Sequence, residues 1–293
     1  MIERKGKNMK NFWNIIAAIL FACTLVFGSY GILYLQSGWL FSMARQAEEH
    51  EPLALIPAKP FDATETKTMA EWLEDARITT DQTLILVNLN NPLPKDYKAD
   101  LTEYNGARMH PSMVENYINL RDRVQEETGI RIYVSSDFRT AEKQAELLEF
   151  YGPDRAAPVG CSEHEAGLSL DVYAPGHDSY NFLKSPAGRM VNRICHEYGF
   201  IIRYEADKTD ITGIDYEPWH LRYVGAPHAE LIANSGLAYE EYIEAIKTET
   251  WYSYNKYLIL RTDVVDSITL PEGFASCHIS PDNTGYYIVT VKL

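Results

Sequence analysis

Cysteine is scarce in this chain, basic residues are outnumbered, and no internal repeat is visible. Four cysteines occur in 293 residues and none stands in a CxxC or CxxxC spacing, which argues against a cysteine zinc site. Cys23 falls in an apolar run, leaving Cys161, Cys195 and Cys277, an odd number that cannot all pair within one chain. The sequence permits a Cys161–Cys195 bridge without supporting it, and does not decide which of Cys161, Cys195 and Cys277 pair. Lysine and arginine together number 27 against 41 acidic residues, a net charge of −14. A surface of that sign argues against nucleic-acid binding, because phosphate contacts need cations. With 46% hydrophobic and 23% charged residues, the chain has the composition of a packed globular protein with one well-buried domain and smaller appendages.

Charge is wholly absent from Phe12 to Leu35. An apolar helix of that length, rising about 1.5 Å per residue, covers a bilayer core of roughly 30 Å. Arg4, Lys5, Lys7 and Lys10 precede it and the next charge is Arg45. This asymmetry predicts a single-pass anchor with a cytoplasmic N-terminus and everything after residue 35 extracytoplasmic. The length of the run and the lack of an A-x-A site favour an anchor over a cleaved signal peptide.

Four segments are expected: a cytoplasmic tip and anchor over 1–36, a stalk or linker over 37–80, a main domain over 81–247 and a small β-rich unit over 248–293. The stalk carries Pro52, Pro57 and Pro60, with a short helix around Met69–Leu73. TLILVNLNNPLP (83–94) begins as a buried-strand pattern. Met113, Tyr117, Leu120 and Val124 keep helical spacing over 111–129, with Gly129 at the end. Helices are also predicted over 140–151, 185–198, 227–234 and 239–247, and strands over 131–136, 167–175, 199–204 and 219–224. The tail from Trp251 is β-rich, with a hairpin turn at Asp282-Asn283-Thr284-Gly285. Strands and helices mix without a regular βαβ alternation, so the predicted class is α+β.

Two segments carry the candidate chemistry. SEHEAGLSLD (162–171) and YEPWHLRYVG (216–225) supply His164, Asp171, Glu217 and His220. Two imidazoles and a carboxylate make a three-ligand zinc site with a fourth position open to water, and Glu217 is then free to take that water's proton. The spacings are neither HExxH nor CxxC, so from spacing alone a metal site and a set of satisfied polar residues both stay open. His177, His196 and His228 read as surface or packing histidines.

The two segments resemble the SxHxxGxAxD and ExWHxRYVG motifs of VanY-type zinc D-Ala-D-Ala carboxypeptidases. The resemblance extends to ILVNLNNPLP (85–94), SSDFRTAEKQ (135–144) and the stretch 199–220, so it covers roughly Leu84 to Ile246. It implies a small antiparallel sheet flanked by helices, as in lysostaphin-like and hedgehog-like zinc peptidases. It further implies one zinc ion per chain held by His164, Asp171 and His220, with Glu217 as general base. Arg139 matches an arginine that binds the substrate's terminal carboxylate or the developing oxyanion, while Gln144 and Ser162 match substrate-contacting positions. Asp137 and Phe138 depart from the usual Gly and Tyr beside that arginine, and Ser169 replaces a small alanine. The implied activity is removal of terminal D-Ala from peptidoglycan stem peptides or precursors, in wall remodelling or glycopeptide resistance. The alternatives are an L,D-carboxypeptidase acting on the tetrapeptide stem and a catalytically inactive wall-binding module.

Overall fold

The structure, a computed structural model, describes residues 52–59, 61, 63–152, 156–263 and 266–293. The expected anchor over 12–35 lies outside them; among the described residues no helix is long and apolar enough to cross a membrane. The architecture is α+β, as the mixed sequence pattern predicts.

The functional part is built on a four-stranded antiparallel sheet in the spatial order Tyr133–Ser136, Ser169–Tyr173, His220–Tyr223, Phe200–Ile202. Side chains alternate between the faces of a strand. Leu170, Val172 and Leu221 therefore point to one face, into a core shared with Met113, Tyr117, Leu120 and Val124 of helix Pro111–Thr128 and Val191 of helix Pro186–Ile194. Asp171 and His220, interleaved with those apolar residues, fall on the opposite face. The two helices are punctuated as expected: Ser185 caps Gly188 N–H, and Gly129 adopts a left-handed φ of 71° that ends the first helix.

A second sheet has six strands in the order Ile56–Pro57, Tyr252–Tyr254, Tyr257–Thr262, Tyr287–Lys292, Ser276–Pro281, Ile78–Thr80. Its pairings are antiparallel except that of Ser276–Pro281 with Ile78–Thr80. Thr64–Thr68 pairs separately with Ser267–Pro271. Strands Ile56–Pro57, Thr64–Thr68 and Ile78–Thr80, within the stretch read from sequence as stalk, thus pair with the C-terminal strands, and the indole of Trp72 donates to Ile268 O. Nor do those strands stand apart from the main domain. Tyr252, Ile259 and Ile288 share a buried cluster with Leu84, Leu86, Ile201, Val224, Tyr239 and Tyr242.

The segment 83–94 is not a strand. Leu84, Ile85, Leu86 and Val87 are all buried, but their backbone is satisfied by other means than a ladder. Leu84 N–H donates to Ser280 Oγ, Leu86 N–H to Asp282 O, and the Arg222 guanidinium donates to the Thr83 and Ile85 carbonyls. The predicted helix over 185–198 divides into α-helix Pro186–Ile194 and a 3-10 turn, Cys195–Tyr198. The Cys161 thiol is free, so no Cys161–Cys195 bridge forms.

Candidate metal centre

Asp171 and His220 sit directly opposite one another on neighbouring antiparallel strands, which places both side chains on one face. His164 reaches that face from a tight turn ahead of the Asp171 strand. The turn requires a glycine at 167: its φ is +71°, and a Cβ there would lie 2.6 Å from Leu101 Cδ2. One donor atom from each of His164, Asp171 and His220 lies within 4.8 Å of the others.

The imidazoles are fixed in complementary ways. His164 Nδ1 donates to Asp137 O at 2.8 Å, which leaves Nε2 with its lone pair, 3.3 Å from Asp171 Oδ2. His220 turns its other nitrogen inward: Nδ1 is 3.1 Å from Asp171 Oδ1 and 3.5 Å from Glu217 Oε2. The two rings stand nearly perpendicular, 88° apart. His164 Nε2 and Asp171 Oδ1 are buried without a hydrogen-bond partner, an arrangement that a neutral apolar interior would penalise and a cation would satisfy. Burial works against ionisation of Asp171, but His164 and His220 outweigh it and hold the carboxyl well below its usual range. Burial, helped by the nearby charges of Arg139 and His220, keeps His164 below the ordinary histidine range, whereas Asp171 and Glu163 push His220 up to about 9 against its own burial.

A cleft of about 480 Å³ opens beside these residues, lined by Arg139, Asp171 and Glu217 together with Tyr180, Ile214 and Trp219 among others. Glu217 enters it from a turn in which His220 N–H donates to Glu217 O. Arg139 is half-buried: Nη2 donates to Asp171 Oδ2 at 3.0 Å, and both Nε and Nη2 donate to Ser136 Oγ. Gln144 and Ser162 are buried and line no part of the cleft. Gln144 instead accepts from Arg139 Nη1 at 3.4 Å and donates to Ala157 O at 2.7 Å, so it braces the arginine. Ser162 heads the ligand turn, its carbonyl accepting from Glu165 N–H.

The departures at 137 and 138 have a local reason. Asp137 Oδ2 accepts from the Arg108 backbone N–H at 2.6 Å, and the Arg108 guanidinium lies 5.0 Å from the centre of the Phe138 ring. Both contacts tie the arginine loop to the hairpin Thr102–Tyr104/Ala107–Met109. A buried charge cluster escaped the sequence reading: Glu163 lies fully buried between the His220 ring and the guanidinium groups of Arg203 and Arg222, which are themselves buried.

A family model described as VanY, D-alanyl-D-alanine carboxypeptidase, matches residues 106–226. A D-alanyl-D-alanine carboxypeptidase from Enterococcus faecium is 30% identical over 260 residues, covering 79% of this chain and 84% of that protein. Among solved structures, the vancomycin-resistance D,D-dipeptidase VanXYg, in complex with a D-Ala-D-Ala phosphinate analogue, superposes with a TM-score of 0.64 at 26% identity, covering 79% of this chain and 99% of its own. A VanY D,D-pentapeptidase variant from the VanB-type resistance cassette, in complex with Zn(II), is 34% identical with a TM-score of 0.50, covering 56% of this chain and 99% of its own. The match runs through both ligand segments, and the chain belongs to the VanY family of D-alanyl-D-alanine carboxypeptidases.

Proposed function

We propose that the chain is a zinc D,D-carboxypeptidase, anchored by residues 12–35 and acting outside the membrane on the terminal D-Ala of peptidoglycan stem peptides or precursors. The observation that carries this reading is the convergence of His164, Asp171 and His220, with Glu217 and Arg139 on the adjoining wall of the same cleft. The donor set fits zinc: two imidazole nitrogens and one carboxylate oxygen leave a fourth position free. The Zn(II) complex of a relative 34% identical supports the choice of metal. The uncharged run at 12–35, preceded by basic residues, supports the location.

Zinc, when bound, supplies Lewis acidity that activates a water and polarises the scissile carbonyl. The chain's residues do the rest. Glu217 accepts the proton of the attacking water and returns it to the leaving amine of D-Ala. Arg139 presents a planar cation to the terminal carboxylate, and this selects the C-terminal residue over an internal bond. The brace from Ser136 and Gln144 holds that guanidinium in place before substrate arrives.

The test is D-Ala release by the purified full-length chain from stem pentapeptide, with chelator and after zinc re-addition. Release that is lost with chelator and restored by zinc is expected. In the same assay, Glu217→Ala should keep stoichiometric zinc while losing roughly 10²–10⁴-fold in rate, the usual contribution of a general base. Release confined to the tetrapeptide would move the activity to the L,D class, and zinc binding with no release from either peptide would reject carboxypeptidase action.

A further inference from the structure

We infer that Glu163 is the residue that fixes the tautomer and orientation of His220, an inference that rests on the zinc reading above. Glu163 is fully buried. Its Oε1 accepts from Arg203 Nε and from Arg222 Nη1, each at 2.8 Å. Its Oε2 has no hydrogen-bond partner and lies 3.5 Å from His220 Nε2, which is likewise buried and without one. Two orphaned polar atoms of complementary type therefore face each other.

A histidine that binds a metal through Nδ1 must carry its proton on Nε2. That proton, on a nitrogen buried from solvent, needs an acceptor, and Glu163 Oε2 is placed to be it. A purely structural counter-ion is the simpler account, but it leaves half of the carboxylate unexplained. Oε1 alone meets both arginines, so the ion-pair network makes no use of Oε2.

The same network makes Glu163 a rigid support. Arg203 also pairs with Glu240, so two carboxylates balance two guanidinium groups. Arg222 donates further to the carbonyls of Thr83, Ile85 and Tyr223. The carboxylate is thereby held by two arginines that are themselves anchored elsewhere in the chain, and the ring it faces inherits that fixity.

Zinc affinity of the full-length chain, measured by competition with a chromophoric chelator, tests the assignment. Glu163→Gln should weaken zinc binding by roughly 10–100-fold, as loss of an outer partner to a ligating histidine does, and should alter the visible spectrum of the Co(II)-substituted protein. Glu240→Gln removes a carboxylate from the same arginine network without touching His220, and should leave both readouts close to wild type. Equal losses in the two variants, or none in either, would overturn the inference. Should Glu163→Gln fail to fold, the ¹⁵N imidazole spectrum of the zinc-loaded wild type decides: a proton on His220 Nε2 supports the assignment and one on Nδ1 rejects it. A wild-type chain that binds no zinc would sink the zinc reading itself, an outcome visible before any variant is made.

Discussion

At the scale of single residues, Arg139 separates charge from geometry. Its guanidinium uses Nε and Nη2 on Ser136 and Nη2 on Asp171, with Gln144 steadying Nη1. Lysine keeps the charge but has neither the planar fork nor the reach to hold two partners at once. Charge-assisted hydrogen bonds contribute about 1.5–3 kcal/mol each, so Arg139→Lys should lower kcat/KM by roughly 10–150-fold. The loss should be smaller on a substrate whose terminal carboxylate is amidated, since that substrate never used the contact. Equal losses on both substrates would place Arg139 in support of Asp171 rather than at the carboxylate. The three candidate ligands and Glu217 were legible because the two short segments that hold them resemble family motifs, and the structure brings the three ligand side chains together. Glu163 was not, although it is next to His164: its partners Arg203 and Arg222 come from much later in the chain, and nothing local marks it as buried. Gln144 was legible as part of the site but not as a brace, because its role depends on the Ala157 carbonyl.

At the scale of elements, helix His228–Ser235 is joined to its surroundings through its first residue. His228 contacts the Tyr242 hydroxyl through Nδ1 at 2.7 Å and Thr290 Oγ1 through Nε2 at 2.8 Å. Burial lowers its pKa from the ordinary 6.5 to about 3. The folded protein therefore keeps this imidazole neutral while the unfolded chain protonates it below about 6.5. Its contribution is fully present above that pH and is lost as pH falls toward about 3, at a slope of at most about 1.4 kcal/mol per pH unit. Urea denaturation from pH 7.5 to 4 should show the wild type's advantage over His228→Gln shrinking across this window. An advantage independent of pH would mean that the folded protein also protonates His228. The elements themselves were readable where capping residues bound them, as at Ser185 and Gly129. Reading failed at 83–94, where a continuous apolar run looks like a strand but has its backbone satisfied by side chains, the Ser280 hydroxyl accepting from Leu84 N–H and the Arg222 guanidinium donating to Ile85 O. It failed again at Thr64–Thr68, whose largely exposed TETKT shows no apolar alternation yet pairs along Ser267–Pro271.

At the scale of the whole molecule, the two ends of the described chain close on each other and on the functional part. Strand Tyr252–Tyr254 has Ile56–Pro57 on one side and Tyr257–Thr262 on the other. Ile259 and Ile288 are fully buried in the cluster that also holds Leu84, Leu86 and Tyr239. Through Leu84 this cluster adjoins the Thr83 and Ile85 carbonyls that anchor Arg222, and through Arg222 it adjoins Glu163 and His220. A removable wall-binding unit could be deleted without disturbing turnover, whereas a shared core cannot. Ending the chain at Lys247 strips the six-stranded sheet and strand Thr64–Thr68 of their C-terminal partners and exposes the Leu84–Tyr239 cluster to water. That truncation should give insoluble protein, or soluble protein without a cooperative thermal transition. A gentler probe is Ile288→Ala, which removes buried methyl groups from the shared cluster and should cost about 2–5 kcal/mol of unfolding free energy. Because the cluster is common to both parts, near-UV circular dichroism and zinc release should follow one unfolding transition in this variant. Two separated transitions, or a truncated chain that still releases D-Ala at the full rate, would show that the C-terminal strands are an independent unit after all.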